Sequence, residues 1–134
     1  MDNLIIKFFE NDKFAALCGA KLIDVEQGKA VARLNISPMH INAAGGVQGG
    51  AIFTLCDFAF AAATNSYGSL TVGVSSSIQY FSQPKGQYIM AIAGETFRGR
   101  KLCGCTVDVF DEDGTIIARF MGTGYIKGDK LKFE

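Results

Sequence analysis

Residues 47–68 read VQGGAIFTLCDFAFAAATNSYG, a stretch that is free of proline, rich in alanine and closed by Asn65 and Gly68 as stop signals. It predicts the one long helix of the chain. This helix is apolar nearly all round, so other structure must wrap it. What flanks it is mostly strand. Downstream, Val72, Val74, Ile78 and Tyr80 mark one strand, and Tyr88 to Phe97 form the next after a turn at Pro84-Lys85-Gly86. Cys103 to Phe110 and Ile116 to Ile126 follow on either side of Asp113-Gly114. Four strands in succession with tight connections predict an antiparallel sheet. Upstream, Lys21 to Ile36 holds two extended runs, the second alternating Ala30, Ala32, Leu34 and Ile36, with Gln27-Gly28 as the hairpin turn. Before them, Leu4, Ile5, Phe8 and Phe9 stand at helical spacing, and Phe14 and Leu17 continue into a second short turn. The expected architecture is α+β: a curved antiparallel sheet around one buried helix, in a single domain over residues 1–134. Gly122 and Gly124 in the last strand suit either curvature or close backbone approach.

Bulk composition narrows the functional classes. At 134 residues, with 49% hydrophobic and 19% charged residues, the chain carries more apolar surface than a small monomer covers, which points to self-association. Thirteen basic residues balance thirteen acidic ones, so the electrostatic footprint of a nucleic-acid binder is missing. Asp2, Lys7, Glu10, Asp12 and Lys13 break up the N-terminal segment, which fits neither a signal peptide nor a membrane span. A cytoplasmic protein with no membrane partner is expected. Cys18, Cys56, Cys103 and Cys105 form no CxxC pair, and with His40 as the sole histidine they offer no metal-ligand spacing. No metal or cofactor is expected. Cys103 and Cys105, two apart on a strand, should share a face and pack as small hydrophobes.

Between Arg33 and Lys85 the only formal charge, with His40 neutral, is Asp57, midway along the apolar helix. Aspartate is a poor residue for a helix interior, and an unpaired buried carboxylate is costly. Function is one explanation; a hydrogen bond to a neighbouring hydroxyl such as Thr54, or exposure on a wet stripe, is the other. Upstream of the helix lies HINAAGGVQGG, two glycine pairs around Gln48 where loop becomes helix. Free N–H groups and the positive end of the helix dipole converge there, making a natural oxyanion site, although glycines can also serve only a tight turn. Gly49 and Asp57 are about 12 Å apart along one helix. They cannot act on one carbonyl within one chain. If both serve one reaction, two helices must lie antiparallel across a two-fold axis, and the active unit is at least a dimer.

At these residues the sequence resembles the hotdog-fold acyl-CoA thioesterases, in particular the phenylacetate-pathway (PaaI-like) group, over almost the whole chain. The motif is an asparagine, a glycine, a histidine with two glycines, then F-T-L-x-D. Here it reads Asn42, Gly45 or Gly46, Gln48, Gly49 and Gly50, then Phe53-Thr54-Leu55-Cys56-Asp57. The resemblance implies a sheet wrapped around the long helix, dimers that pair into homotetramers, and hydrolysis of acyl-CoA substrates in a site shared between subunits. It implies Asp57 as nucleophile or general base, the Gly49 N–H as the donor to the thioester carbonyl, and Asn42 as the amide that holds water or substrate. Such hydrolysis needs an attacking group and an oxyanion donor; the thiolate leaves readily without a strong general acid. The departure is Gln48, which stands where the family commonly has His and can donate a hydrogen bond but cannot titrate.

Further candidates carry less weight. His40 suits a structural hydrogen bond. Ser75, Ser76 and Ser77 fit either a site wall or sheet packing, with Ser75 and Gly50 taken as substrate-binding. Arg98 and Arg100, with Lys101, could meet coenzyme A phosphates or simply be solvated. Besides hydrolysis of an aryl or medium acyl-CoA, two readings compete: an acyl-CoA sensor or carrier of the same fold without turnover, and a monomeric β-barrel lipid binder.

Overall fold

A computed structural model describes residues 2–133. Helix α1 (Asp2–Phe9) and the short helix α2 (Lys13–Cys18) precede the hairpin of β1 (Ala20–Glu26) and β2 (Lys29–Asn35). A 3-10 turn (Pro38–His40) and a loop lead into α3 (Gly49–Thr64); β3 (Ser69–Tyr80), β4 (Tyr88–Arg98), β5 (Leu102–Asp111) and β6 (Ile116–Lys130) complete the chain. The six strands form one antiparallel sheet in the order β1-β2-β4-β5-β6-β3, and α3 packs on its concave face. This is the expected hotdog arrangement. It is an open sheet with β1 and β3 as edges, not a closed barrel.

The register explains how the helix fits. Ala32, Ala91, Val109 and Ala118 are paired in turn across β2, β4, β5 and β6, and Ala30, Ala93, Val107 and Phe120 form the adjacent rank. All are buried. Small side chains on the inner face let Leu55, Cys56, Ala59, Ala62 and Ala63 of α3 lie close to the strands. Removal of these apolar surfaces from water is the main stabilising term, roughly 25 cal/mol per Å². Cys105 lies within this core, and Cys103, on the same face, is buried as well.

Local signals behave as their chemistry requires. Gly28, at φ 75°, makes the β1–β2 turn. Asn65 ends α3: its amide donates to the carbonyls of Ala61 (2.8 Å) and Thr71 (3.0 Å), while its Oδ1 accepts from the Thr71 N–H (2.9 Å). Gly122 is a close-approach position, since a Cβ there would lie 2.8 Å from the Phe60 ring.

Two expectations are corrected. The segment around Pro84-Lys85-Gly86 is not a turn between sheet neighbours: β3 pairs with β6 at the far edge, and residues 81–87 cross the ends of β6 and β5 to reach β4. Adjacency in sequence favours pairing but does not compel it. Nor is α3 wrapped all round. Gly50, Phe53, Thr54, Asp57 and Ala61, at helical spacing, are the α3 residues past its first that are not buried. Asp57 therefore stands exposed on an open stripe rather than inside the core of the chain.

Candidate functional site

The loop before α3 is organised by Asn42. Its Oδ1 accepts from the N–H groups of Ala44 (2.9 Å) and Gly46 (3.0 Å), and its own N–H donates to the Gly46 carbonyl (2.7 Å). With the oxygen engaged, the NH2 group is what Asn42 can offer a ligand. Gly45, at φ 87°, provides the reversal. His40 is buried: its Nδ1 accepts from the Ser37 N–H (3.0 Å), which leaves Nε2 as the donor to the Cys18 carbonyl (2.6 Å). The only histidine thus joins α2 to the loop.

Gln48 is the N-cap residue of α3, with an exposed side chain that makes no capping bond. The Gly49 N–H has no acceptor among the described residues, as expected at a helix start. The Tyr80 hydroxyl donates to the Gly49 carbonyl (2.8 Å), and the Tyr80 ring would lie 3.1 Å from a Cβ at Gly49. Sequence reading places Tyr80 on a strand without any site role; only the pairing of β3 beside the helix brings it here.

Asp57 makes no hydrogen bond or ion pair among the described residues. The Thr54 hydroxyl donates instead to the Gly50 carbonyl (2.8 Å), so it does not hold the carboxylate. Apolar surroundings raise the Asp57 carboxyl above the ordinary carboxylate value, and the negative charge of Asp12 adds to the rise. Asp12 is itself the N-cap of α2, accepting from the Ala15 N–H at 3.0 Å.

Three depressions follow the open stripe of α3. One, of about 600 Å³, runs past Phe14, Met39, Gln48, Gly50, Thr54 and Tyr80. A second, of about 370 Å³, lies between α2 and α3 and is lined by Asp12, Phe14, Phe53, Thr54, Asp57 and Phe58. The third, of about 320 Å³, lies between Asp57 and Phe60 on one side and Gly73, Val74, Ser75 and Ser76 on the other. Asp57 is common to the second and third. Ser75 therefore lines the same groove as Asp57, and Gln48 shares a groove with Gly50, while Gly49 and Asp57 remain more than two helical turns apart.

Arg98 and Arg100 are not brought to either group. The Arg98 Nη1 donates to Glu95 (2.7 Å) and to the Thr64 carbonyl at the far end of α3 (3.3 Å), and its guanidinium stacks 3.9 Å over the Tyr67 ring. Arg100 is exposed in the β4–β5 turn. Among the described residues no cluster of acidic, Cys or His side chains is arranged to hold a metal ion, and no helix is long and apolar enough to cross a membrane.

Comparison with known proteins adds to this geometry. The profile of the Thioesterase superfamily matches residues 44–118, which include the glycine loop, α3 and Asp57. A putative esterase of Archaeoglobus fulgidus is 34% identical over 118 residues, covering 87% of this chain and 77% of that protein. Acyl-coenzyme A thioesterase PaaI of Escherichia coli is 26% identical over 127 residues, covering 94% of this chain and 91% of that protein. The solved structure of the E. coli PaaI protein matches with a TM-score of 0.89 over 94% of this chain and 92% of its own, at 24% identity. A point mutant of the phenylacetic acid degradation protein PaaI from Thermus thermophilus, 30% identical, matches with a TM-score of 0.81 over 86% of this chain and 99% of its own.

Proposed function

Because this chain belongs to the thioesterase superfamily, we propose that it hydrolyses acyl-coenzyme A thioesters bearing an aryl or medium-length acyl group, in a site that two copies build together. One observation carries the reading: Asp57, a carboxylate with no partner among the described residues, sits on the open stripe of α3 where two grooves meet, beside the edge strand β3. An exposed row of N–H and C=O groups on a long edge strand invites pairing with another chain. Joining two β3 edges would lay a second α3 beside the first in antiparallel sense. That brings the partner subunit's Gly49 N–H toward Asp57, which no single chain can do.

In this site Asp57 acts on the thioester carbon, either by taking a proton from the attacking water or by adding to the carbon itself. The carbonyl oxygen gains charge and is held by the partner subunit's Gly49 N–H, at the positive end of its helix. The C–S bond then breaks and coenzyme A leaves as its thiolate; attack by water gives the acid directly, whereas attack by Asp57 gives a mixed anhydride that a water then hydrolyses, releasing the acid and restoring the carboxylate. In this reading Gln48 and the Asn42 amide NH2 donate to the carbonyl oxygen or water, Ser75 contacts substrate in the groove it shares with Asp57, and Gly50 in the groove it shares with Gln48. The acyl group fits the aromatic cleft of Phe14, Phe53 and Phe58 next to Asp57, a lining that suits an aryl ring or a medium-length chain. Arg100 is free to meet a phosphate, whereas Arg98 would first have to leave Glu95. Pairing of dimers into a homotetramer, in the cytoplasm, belongs to the same reading.

The exposed Gln48, in the place usually held by His, favours one rival: an acyl-CoA binding or sensing protein that does not turn over. A panel of acyl-CoAs with a thiol-trapping dye tests both. Release of coenzyme A that is lost in Asp57→Ala is expected; binding without release supports the rival, and release unchanged by the substitution overturns the role of Asp57.

A further inference from the structure

We propose that Gln83, with Tyr80, is a positioning residue that fixes the oxyanion donor at the start of α3. The inference rests on the reading of Gly49 above and extends it to residues outside the motif. A segment carrying Gly45, Gly46, Gly49 and Gly50 has little conformational preference of its own, because glycine leaves φ and ψ weakly restricted. An N–H donor in such a segment acts well only if something else holds its direction.

Two side chains, one from the end of β3 and one from the crossover after it, do so. The Gln83 Oε1 accepts from the Val47 N–H at 2.9 Å, and the Tyr80 hydroxyl donates to the Gly49 carbonyl at 2.8 Å. The Gln48 N–H, in between, donates to the His40 carbonyl at 2.7 Å. The peptide that carries the Gly49 N–H thus has a pinned neighbour on each side. Val47 is itself buried, which anchors the near end.

Glycine placement agrees independently. A Cβ at Gly46 would stand 2.8 Å from the Gln83 Oε1, and one at Gly49 would stand 3.1 Å from the Tyr80 ring. Neither residue has a positive φ, so backbone strain does not require glycine at these two positions. The room beside them is taken by Gln83 and Tyr80, which a side chain at either position would have to displace. The crossover is tied to the sheet: the Phe81 N–H donates to the Ile117 carbonyl (2.7 Å), and Asp111 accepts from the N–H groups of Lys85 (2.8 Å) and Gly86 (3.1 Å). Rigidity passes from β5 and β6 through Gln83 to the loop.

Gln83 is exposed, so replacing it should spare the fold. The test compares Gln83→Leu, which loses the acceptor, with Gln83→Glu, which keeps an acceptor oxygen, and adds Tyr80→Phe as a second route. Expected are a fall in kcat of about tenfold for Gln83→Leu and for Tyr80→Phe, KM within about twofold of the parent, and recovery in Gln83→Glu. With glycine labelled by nitrogen-15, the Gly49 amide resonance should move in Gln83→Leu and hold in Gln83→Glu. An unchanged kcat in Gln83→Leu, or equal loss in the Leu and Glu variants, overturns the inference. Should the parent protein hydrolyse no acyl-CoA, the hydrolytic reading fails by itself, and the amide resonance alone decides whether Gln83 holds the loop.

Discussion

Gly49 and Asp57 belong to the same helix yet stand more than two turns apart, about 12 Å along its axis, with the N–H of one and the carboxylate of the other both unpartnered among the described residues. The proposed sharing of one site between two copies makes a direct prediction about mixtures. Asp57→Ala and Gly49→Val chains, each inactive alone, should regain activity when refolded together, because each mixed dimer holds one intact site. Random pairing gives about one quarter of the parent activity. A mixture as inactive as its components would refute the shared site.

The raised Asp57 carboxyl predicts the acid limb of kcat/KM. Attack needs the ionised form, so activity should fall, as pH is lowered, at a value above the ordinary carboxylate range. A limb at or below the ordinary Asp value would contradict the assignment.

The same shift has a consequence for stability. A carboxyl whose folded pKa lies above its unfolded value binds its proton more tightly when folded, so stability falls as pH rises from the unfolded to the folded pKa. Asp57→Asn removes that penalty. It should raise Tm at neutral pH on the order of a degree, given the exposure of the side chain, and by nothing below the unfolded pKa. Thermal melts at pH 7 and near pH 3 check this; a destabilised Asn variant at pH 7 would contradict it.

Phe58 separates the cleft beside Asp57 from a second depression of about 340 Å³ under α1, lined by Ile6, Phe9 and Leu22, and packs edge-on against Phe9 at 6.1 Å. Phe58→Leu shortens that wall while keeping an apolar side chain. The ratio of kcat/KM for long over short acyl-CoAs should rise about threefold or more. An unchanged chain-length profile would place the acyl group elsewhere.

Gly122→Ala tests the core beside the site. The added methyl meets the Phe60 ring at 2.8 Å and the Phe120 ring at 3.0 Å, both buried and unable to withdraw freely. Overpacking of this kind should cost about 1–3 kcal/mol, read from urea unfolding. Gly94→Ala, which meets nothing within 4 Å, is the control and should be near neutral.

Much of the fold was legible because its signals are local. The Gln27-Gly28 turn, the Asn65 stop and the alternation of Ala30, Ala32 and Leu34 each depend on residues near one another in the chain. The neighbour of β3 was not legible, because a strand of twelve residues that reads Ser-Leu-Thr-Val-Gly-Val-Ser-Ser-Ser-Ile-Gln-Tyr presents no feature that names its partner. Of the site, Asp57 stood out as the one charge in a long apolar stretch, and the glycine pairs as a helix start. Tyr80 and Gln83 carried no such signal. An aromatic residue ending a strand and a glutamine in a loop are common, and their bonds to the glycine loop span more than thirty positions in sequence.

Composition and spacing alone determined that this chain has one long apolar helix with a solitary carboxylate, strands on either side, and a glycine-rich entry that cannot reach that carboxylate from within. Tertiary structure decided that β3 lies at the sheet edge beside α3, that Asp57 faces an open groove instead of the core, and that Tyr80 and Gln83 hold the loop. The physical reason is range: helix and turn propensities act over a few residues, whereas strand order and groove walls are set by which distant surfaces bury one another best.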